Sequence, residues 1–387
     1  MNILFTSSKP FHPLTGGIGR VTDTLCKTFL QKGHNVWYLH HNSEEKEFDD
    51  YSYPAPVAFL PYPDNEVHKN HLFYIDFLRR NQIDVVICQD ALYDLTFHQV
   101  DGLPIKVVSV IHSNPLHDYN ILWHQFITLR NDTFLEQLKR IARCCLYFKA
   151  KHQMWSHTVS HFNALYKFSE RILLLSPHYL PSIKRMNEQL LDKTGYIYNP
   201  NTYPLQIKLP THKSKEIIVV GRCHKSKRID RILKIWDSLW REFPDWHLTV
   251  VGDGTEMENL VKLANKLNLD NITFTGFKNP LIYYQQASII CMTSDFEGFP
   301  MALVEAMQYG CVPIVFESFE AVHDIILQGE TGELVKPFKM KSYRNKLSRL
   351  MESDGYREQL SATAFEHVKK FDVSIIIEQW EHLLNTL

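Results

Sequence analysis

The sequence predicts a two-domain α/β protein, in which each domain is a helix-covered parallel β-sheet and a cleft separates the two. The chain has 387 residues, which indicates two domains of about 150–200 residues rather than one core. Short apolar runs alternate with helical patterns twice along the chain, as is typical of parallel sheets flanked by helices. A stretch rich in asparagine and proline lies between the two series and predicts a linker.

The first series begins with a short apolar run that is typical of a buried strand. A glycine-containing loop at residues 16–19 follows it. A helical pattern then runs through Val21, Leu25, Phe29 and Leu30 and ends at Gly33. The predicted strands are residues 2–6, 36–39, 85–88, 107–111 and 172–175. These elements predict a Rossmann-like domain over residues 1–198.

The second series follows a predicted linker at residues 199–213. Its first helix carries Trp236 and Trp240 on one apolar face. The predicted strands are residues 217–220, 248–251, 272–275, 289–292 and 314–316. We expect a second Rossmann-like domain over residues 214–371. A final amphipathic helix over residues 372–387 is expected to pack back on the first domain.

The composition is that of a soluble globular protein, with 44% hydrophobic and 22% charged residues. A formal net charge of −1 argues against a dedicated nucleic-acid binder. The seven cysteines form no C-x-x-C pair, so neither a zinc site nor a disulfide framework is indicated. The sequence lacks a signal-peptide pattern and any run near the roughly 20 apolar residues of a membrane helix. We therefore expect a cytoplasmic protein, at most peripheral on a membrane.

Residues 293–310, TSDFEGFPMALVEAMQYG, contain two glutamates, Glu297 and Glu305. Pro300 marks the start of a helix that is nearly all apolar and hence expected to be buried, so Glu305 needs hydrogen-bond donors. Gly298 and the helix start at residues 300–302 offer backbone N–H groups to an anion such as phosphate. The segment predicts a ligand with hydroxyls and phosphates. A Glu305 that pairs with a neighbouring helix is the alternative.

A basic loop, GRCHKSKR, follows the predicted strand at residues 217–220, where α/β proteins bind ligands. Arg222 and Lys227 in this loop suit a diphosphate, because they combine a bidentate fork with a compact charge. Lys225 and Arg228 fit a solvated basic surface instead. With the two glutamates, whose carboxylates can accept vicinal hydroxyls, the loop predicts a sugar-nucleotide site.

Two candidates lie in the first domain. Gly16-Gly17 fails the dinucleotide fingerprint, because Thr22 stands where a glycine is required, so it is either a flexible turn or backbone that approaches a ligand. His112 directly follows a predicted strand, and it could be an acid–base or hydroxyl-binding group or a structural histidine. His117 and Asp118 lack the spacing of a metal site.

These motifs resemble those of the retaining glycosyltransferases of family 4, also called group 1, which have a GT-B fold. The resemblance covers nearly the whole chain. Its matching positions are Gly16-Gly17, His112, Asn199-Pro200, Gly221-Arg222, Lys227, Gly252-Asp253-Gly254, Phe274-Thr275-Gly276, Ser294, Glu297-Gly298-Phe299, Glu305-Ala306-Met307 and Gly310-Cys311-Val312-Pro313. Two departures are Arg228, where the family commonly has glycine, and a Tyr-Asn-Pro-Asn linker in place of Pro-Asn-Gly.

The resemblance implies that Glu305 binds the ribose and Glu297 the transferred sugar. It also implies retention of configuration, with the departing phosphate helping to deprotonate the acceptor, and no protein nucleophile, cofactor or metal. The implied catalytic residues are His112, Arg222, Lys227 and Glu297. The implied donor-binding residues are Gly16, Gly17, Arg222, Lys227, Glu297, Gly298, Phe299, Pro300, Met301, Ala302 and Glu305.

The expected partners are a nucleotide-sugar donor, with a UDP-sugar as the first expectation, and a saccharide or lipid-linked acceptor. Cell-surface polysaccharide or glycolipid synthesis would use such a reaction. A basic, aromatic stretch at residues 139–155 could contact an anionic membrane or be a solvated helix face. The rival functions are a sugar-nucleotide epimerase or a phosphorylase of the same architecture, and an inactive regulatory or binding subunit.

Overall fold

The chain divides into two units, Met1–Ile197 with His382–Leu387, and Tyr198–Glu381. A computed structural model describes residues 1–14, 16–41, 51–63, 66–119, 122, 134–210 and 212–387, with the backbone alone for residues 134–146. The predicted linker at residues 199–213 falls within the second unit. The described residues confirm the predicted α/β class, because each unit contains a parallel sheet with helices.

The first unit contains a seven-stranded sheet in the order β3-β2-β1-β4-β5-β6-β7, and its strand pairs are parallel. The strands are β1 (Asn2–Ser7), β2 (Asn35–His40), β3 (Val57–Phe59), β4 (Val85–Cys88), β5 (Lys106–Ile111), β6 (Arg171–Leu174) and β7 (Thr194–Tyr196). The five predicted strands are confirmed with ends that differ by a residue or so. The edge strands β3 and β7 were not predicted.

Among the described residues, the α-helices of the first unit include α1 (Gly17–Gln31), α2 (Val67–Arg80), α3 (Phe134–Phe168) and α4 (Leu180–Met186). Helix α1 buries Val21, Leu25 and Phe29 of its predicted apolar face, but Leu30 is exposed. Its start differs from the prediction, because Gly17 and Gly19 lie inside the helix and not in a loop. A Cβ on Gly19 would lie 2.3 Å from the carbonyl oxygen of His12, so only glycine allows the helix to pack this closely against the preceding turn.

The second unit contains a six-stranded parallel sheet in the order β10-β9-β8-β11-β12-β13. The strands are β8 (Ser214–Val220), β9 (His247–Val251), β10 (Ile272–Phe274), β11 (Ala287–Met292), β12 (Val312–Phe316) and β13 (Glu333–Val335). Strands β8 and β11 are neighbours. The loop at residues 221–228 leaves β8, and the loop at residues 293–300 leaves β11, so the sheet brings these two loops to the same edge.

The remaining helices are α5 (Ile229–Asp237), α6 (Met257–Lys266), α7 (Leu281–Gln286), α8 (Met301–Gln308), α9 (Val322–Ile325), α10 (Met340–Glu352), α11 (Asp354–His367) and α12 (Val373–Asn385). The core of the second unit includes Trp236 of α5, Phe316 of β12 and Tyr343 of α10, all fully buried. Among the described residues, none of the helices has the length and apolarity needed to cross a membrane.

Candidate functional site

Close backbone packing fixes the loop that follows β8. Gly252 lies against it with a φ of +146°, and a Cβ there would be 2.0 Å from the carbonyl oxygen of Gly221. The N–H of Cys223 donates to the carbonyl of Asp253 at 2.8 Å. Only glycine tolerates this approach and this φ. The loop after β9 therefore holds the backbone that carries Arg222, whose side chain is exposed.

Several contacts tie the loop after β8 to the loop after β11. The N–H of Asp295 donates to the carbonyl of Ser226 at 2.8 Å. The hydroxyl of Thr293 donates to the carbonyl of Arg228 at 2.9 Å. The guanidinium of Arg231 donates to the carbonyl of Thr293 at 3.0 Å and pairs with the carboxylate of Asp295 at 2.6 Å. The two loops therefore form one continuous surface at the edge of the sheet.

Arg228 has a left-handed backbone, with φ of +49°. This conformation explains why the resemblance predicts glycine here, because a left-handed residue with a side chain costs about 1–2 kcal/mol. The side chain is held by ion pairs with Asp230 at 2.9 Å and Asp295 at 3.5 Å. Arg228 is thus engaged within the loop surface and not simply solvated, whereas Lys225 is exposed as expected.

Lys227 and Glu297, which the sequence singled out separately, form a direct ion pair. The Nζ of Lys227 lies 2.7 Å from each carboxylate oxygen of Glu297. The hydroxyl of Ser294 donates to the same carboxylate at 2.6 Å. The side chain of Glu297 is only 9% exposed and that of Lys227 is 31% exposed. An ammonium has three N–H donors, so Lys227 can hold Glu297 and still offer a donor to a phosphate.

Residues 298–302, which include the predicted anion-binding backbone, carry two side chains that are buried and not open to a ligand. The rings of Tyr198 and Phe371 pack on Phe299, at 5.8 and 5.3 Å between centroids, and leave it 6% exposed. Met301 is also buried. These two side chains belong to the core, so residues 298–302 offer a ligand chiefly the backbone N–H groups at the start of α8.

Glu305 is fully buried in α8. Its two carboxylate oxygens accept hydrogen bonds from the hydroxyls of Thr202, at 2.6 Å, and Tyr284, at 3.0 Å. Gln308, one turn further along the helix, hydrogen-bonds Asn201 at 2.7 Å and so fastens the segment that carries Thr202. The expected need for donors is confirmed. Each carboxylate oxygen of Glu305 thus already has a hydroxyl partner within the second unit.

Gly16 and Gly17 lie at the start of α1 in the first unit. Gly16 precedes the helix with φ of +156°, which side chains rarely adopt, and its carbonyl accepts the hydrogen bond of Arg20 at 3.2 Å. Gly17 is the first helical residue. Gly17 is exposed and Gly16 is half-buried, so the pair offers accessible backbone at a helix start, where an anion is stabilised.

His112 follows β5 in the first unit, as predicted. Its Nε2 lies 2.5 Å from the side-chain oxygen of Gln89. Burial lowers the pKa of His112 to about 4, so the ring is neutral near pH 7. A neutral ring can orient a hydroxyl but is a poor proton donor at that pH.

Four residues that shape these sites were not singled out from the sequence. They are Gln89, Thr202, Tyr284 and Asp295. Gln89 directly follows β4, just as His112 follows β5, so its position alone could have identified it as a candidate site residue. Thr202 carries no local signal, because its contact with Glu305 joins residues 103 positions apart.

Two family models match the chain. Residues 205–367 match the model described as "Glycosyl transferases group 1". Residues 15–148 match the model described as "Glycosyltransferase Family 4". The two matches fall in the second and the first unit, respectively.

Individual glycosyltransferases also match the chain. The chain is 32% identical over 190 residues to an uncharacterized glycosyltransferase of Haemophilus influenzae, and 26% identical over 226 residues to the amylovoran biosynthesis glycosyltransferase AmsD of Erwinia amylovora. These matches cover 49% and 57% of the chain, and only 54% and 63% of the relatives' own length. The structure of Anabaena HepE in complex with UDP and glucose aligns over 100% of both chains, with 15% identity and a TM-score of 0.74. That likeness extends the shared fold to both units.

Proposed function

Since the chain belongs to the group 1 glycosyltransferases, also called family 4, and has their GT-B fold, we propose that it transfers a sugar from a nucleotide-diphosphate sugar. The acceptor is a hydroxyl of a saccharide or glycolipid, and transfer retains the anomeric configuration. The observation that carries this proposal is the Lys227–Glu297 pair, which places a cation for phosphate beside a carboxylate for sugar hydroxyls. HepE, with UDP and glucose, supports a UDP-sugar donor. AmsD supports a role in polysaccharide synthesis.

The proposed mechanism assigns charge neutralisation to the loop after β8. Arg222 and Lys227 contact the diphosphate, and their positive charges stabilise the leaving group as the bond to the sugar breaks. The backbone amides at the start of α8 add further donors. Glu297 accepts hydrogen bonds from the hydroxyls of the transferred sugar, which fixes its orientation. The departing phosphate takes the proton of the acceptor hydroxyl, so no protein nucleophile, metal or cofactor is required.

We propose three further contacts with the donor. Glu305 accepts hydrogen bonds from the ribose hydroxyls once the Thr202 side chain has moved aside. Gly16 and Gly17 present backbone N–H groups to the donor. His112, in its neutral form, contacts the transferred sugar.

A thermal-shift panel of UDP-, GDP- and ADP-sugars tests this function. A ligand that binds only the folded protein at 100 times its Kd stabilises it by about 2.7 kcal/mol, so one donor class should raise the Tm clearly. No shift with any sugar nucleotide would contradict the proposal. Conversion of the donor to an epimer without an acceptor would favour the epimerase alternative.

We further propose that helix α3 contacts an anionic membrane, which would bring a lipid-linked acceptor to the protein. Phe148 is 74% exposed and Lys149 beside it is also exposed. Lys151 of the same stretch is already engaged, because its Nζ lies over the rings of Tyr119 and Tyr147, at 5.0 and 5.6 Å from their centroids. The contact should therefore depend on Phe148 and Lys149 more than on Lys151.

The double variant Phe148→Ser/Lys149→Glu should bind vesicles of phosphatidylglycerol and phosphatidylcholine several-fold more weakly than wild type in a sedimentation assay, since it loses apolar insertion and about 1 kcal/mol per basic charge. Lys208→Glu, an exposed lysine of the second unit, serves as the charge-matched control. Equal vesicle binding by the double variant and wild type would contradict the proposed contact between helix α3 and a membrane.

A further inference from the structure

Two polar side chains, one buried and one half-buried, lie at neighbouring strand ends in the first unit. Gln89 directly follows β4, and His112 directly follows β5. Strands β4 and β5 pair in parallel, so both residues lie at the same edge of the sheet. The backbone N–H of Gln89 donates to the carbonyl of Thr6 on β1 at 2.9 Å, which fixes the start of its side chain. Gln89 is 1% exposed and His112 is half-buried, so the contact extends from the interior toward the surface of the unit.

The contact between these side chains determines which ring nitrogen of His112 carries the proton. The amide oxygen of Gln89 lies 2.5 Å from Nε2 of His112. An amide oxygen can only accept, so Nε2 must be protonated. A neutral imidazole carries one proton, and burial keeps this ring neutral by lowering its pKa to about 4. The other nitrogen, Nδ1, is therefore an acceptor.

Two atoms of this pair are enclosed and without a partner within the described part of the chain. They are Nδ1 of His112 and the amide nitrogen of Gln89. A buried polar atom without a hydrogen bond costs about 1–3 kcal/mol, so such atoms in a folded protein need an explanation. Within the described residues no hydrogen bond uses Nδ1, the nitrogen to which a hydroxyl would donate.

We propose that Gln89 is a positioning residue for His112. Its amide oxygen holds the ring as the Nε2–H tautomer, so that His112 offers Nδ1 as an acceptor to a hydroxyl of the transferred sugar. This inference rests on the proposed function for the sugar contact. The tautomer itself does not depend on that function. Because Nδ1 is enclosed, a small shift of its surroundings must accompany the contact.

Long-range ¹H–¹⁵N spectra of the full chain, labelled with ¹⁵N-histidine, test the tautomer directly. The His112→Asn variant identifies the His112 signals by their loss. Wild type should show a protonated Nε2 and a bare Nδ1. Gln89→Leu should give a mixture of tautomers or the reverse one. A wild-type ring protonated on Nδ1, or an unchanged tautomer in Gln89→Leu, would overturn the proposal.

Kinetics with the donor found by thermal shift test the consequence. Gln89→Leu should lower kcat by about tenfold or more, since a wrong histidine tautomer disables its partner atoms, while the Kd of the nucleoside diphosphate changes less than about threefold. Gln89→Glu retains an acceptor oxygen and should recover most of kcat at pH 8. If Gln89→Leu folds poorly, the spectrum of the wild type and the Gln89→Glu variant still test the proposal. A Gln89→Glu protein in which His112 has the reversed tautomer and kcat is fully retained would refute it. Absence of turnover in wild type with the predicted spectrum would count against the proposed function and not against the tautomer.

Discussion

Glu305→Ala should destabilise the protein and abolish its response to sugar nucleotides. The substitution leaves the hydroxyls of Tyr284, which is fully buried, and Thr202, which is half-buried, without the carboxylate that accepts their hydrogen bonds. The buried hydroxyl of Tyr284, left unsatisfied, costs about 1–3 kcal/mol, and the cavity left by the glutamate adds to this, so we expect a loss of about 2–5 kcal/mol. That loss corresponds to a fall in Tm of roughly 5–15 °C in thermal unfolding.

Two variants control the Glu305 experiment. Glu305→Gln keeps the shape and one acceptor oxygen, so its Tm should fall between those of wild type and Glu305→Ala. Glu358→Ala removes an exposed glutamate from α11 and should leave stability within about 0.5 kcal/mol of wild type. A Glu305→Ala protein as stable as wild type would show that the buried hydrogen bonds are not what the carboxylate is for. An undiminished thermal shift with the donor would remove Glu305 from the donor site.

Lys227→Met should weaken binding of the nucleoside diphosphate and slow sugar transfer. Methionine keeps most of the side-chain length but removes the charge proposed to contact phosphate. A hydrogen bond to a charged group contributes about 1.5–3 kcal/mol, which predicts a Kd about 10- to 150-fold higher in calorimetric titration. Transfer should slow by about 100- to 1,000-fold, because the charge developing on the leaving group loses its neighbouring cation.

Lys225→Met is the matched control, because Lys225 belongs to the same loop and carries the same charge on an exposed side chain. It should bind the nucleotide nearly as wild type does. Equal losses in the Lys225 and Lys227 variants would mean that the loop acts only through its general positive potential. Removing Lys227 also leaves the carboxylate of Glu297 without its ammonium partner, so a lower Tm should accompany the loss of binding.

Much of the fold follows from the sequence because buried parallel strands are continuous apolar runs. All ten predicted strands are present in the two sheets. The three that were missed are β3, β7 and β13, each of three residues at a sheet edge. So short an edge strand shows neither an apolar run nor a clear period, and its pairing depends on a neighbour far away in the chain.

The candidate site was predictable residue by residue but not in its connections. Glu297 and Lys227 were recognised from loop position and charge, yet their pairing joins residues 70 positions apart. At Arg228 the sequence differs from the residue that the resemblance leads one to expect. The sequence departs there from a glycine expected by resemblance, and the ion pairs with Asp230 and Asp295 hold the arginine in place. Asp230 lies only two positions along the chain, whereas the pairing with Asp295, 67 positions away, is formed only in the folded structure.

The central claim is that the loops after β8 and β11 bind the diphosphate of a sugar nucleotide. Isothermal titration of the wild-type protein with a nucleoside diphosphate and with the matching nucleoside measures this most directly. The base is chosen from the thermal-shift panel. Two or more charged hydrogen bonds to the diphosphate predict that it binds at least about 100-fold more tightly than the nucleoside. Equal affinity for the two, or no binding of either, would contradict the assignment of Arg222, Lys227 and the start of α8 as the diphosphate site.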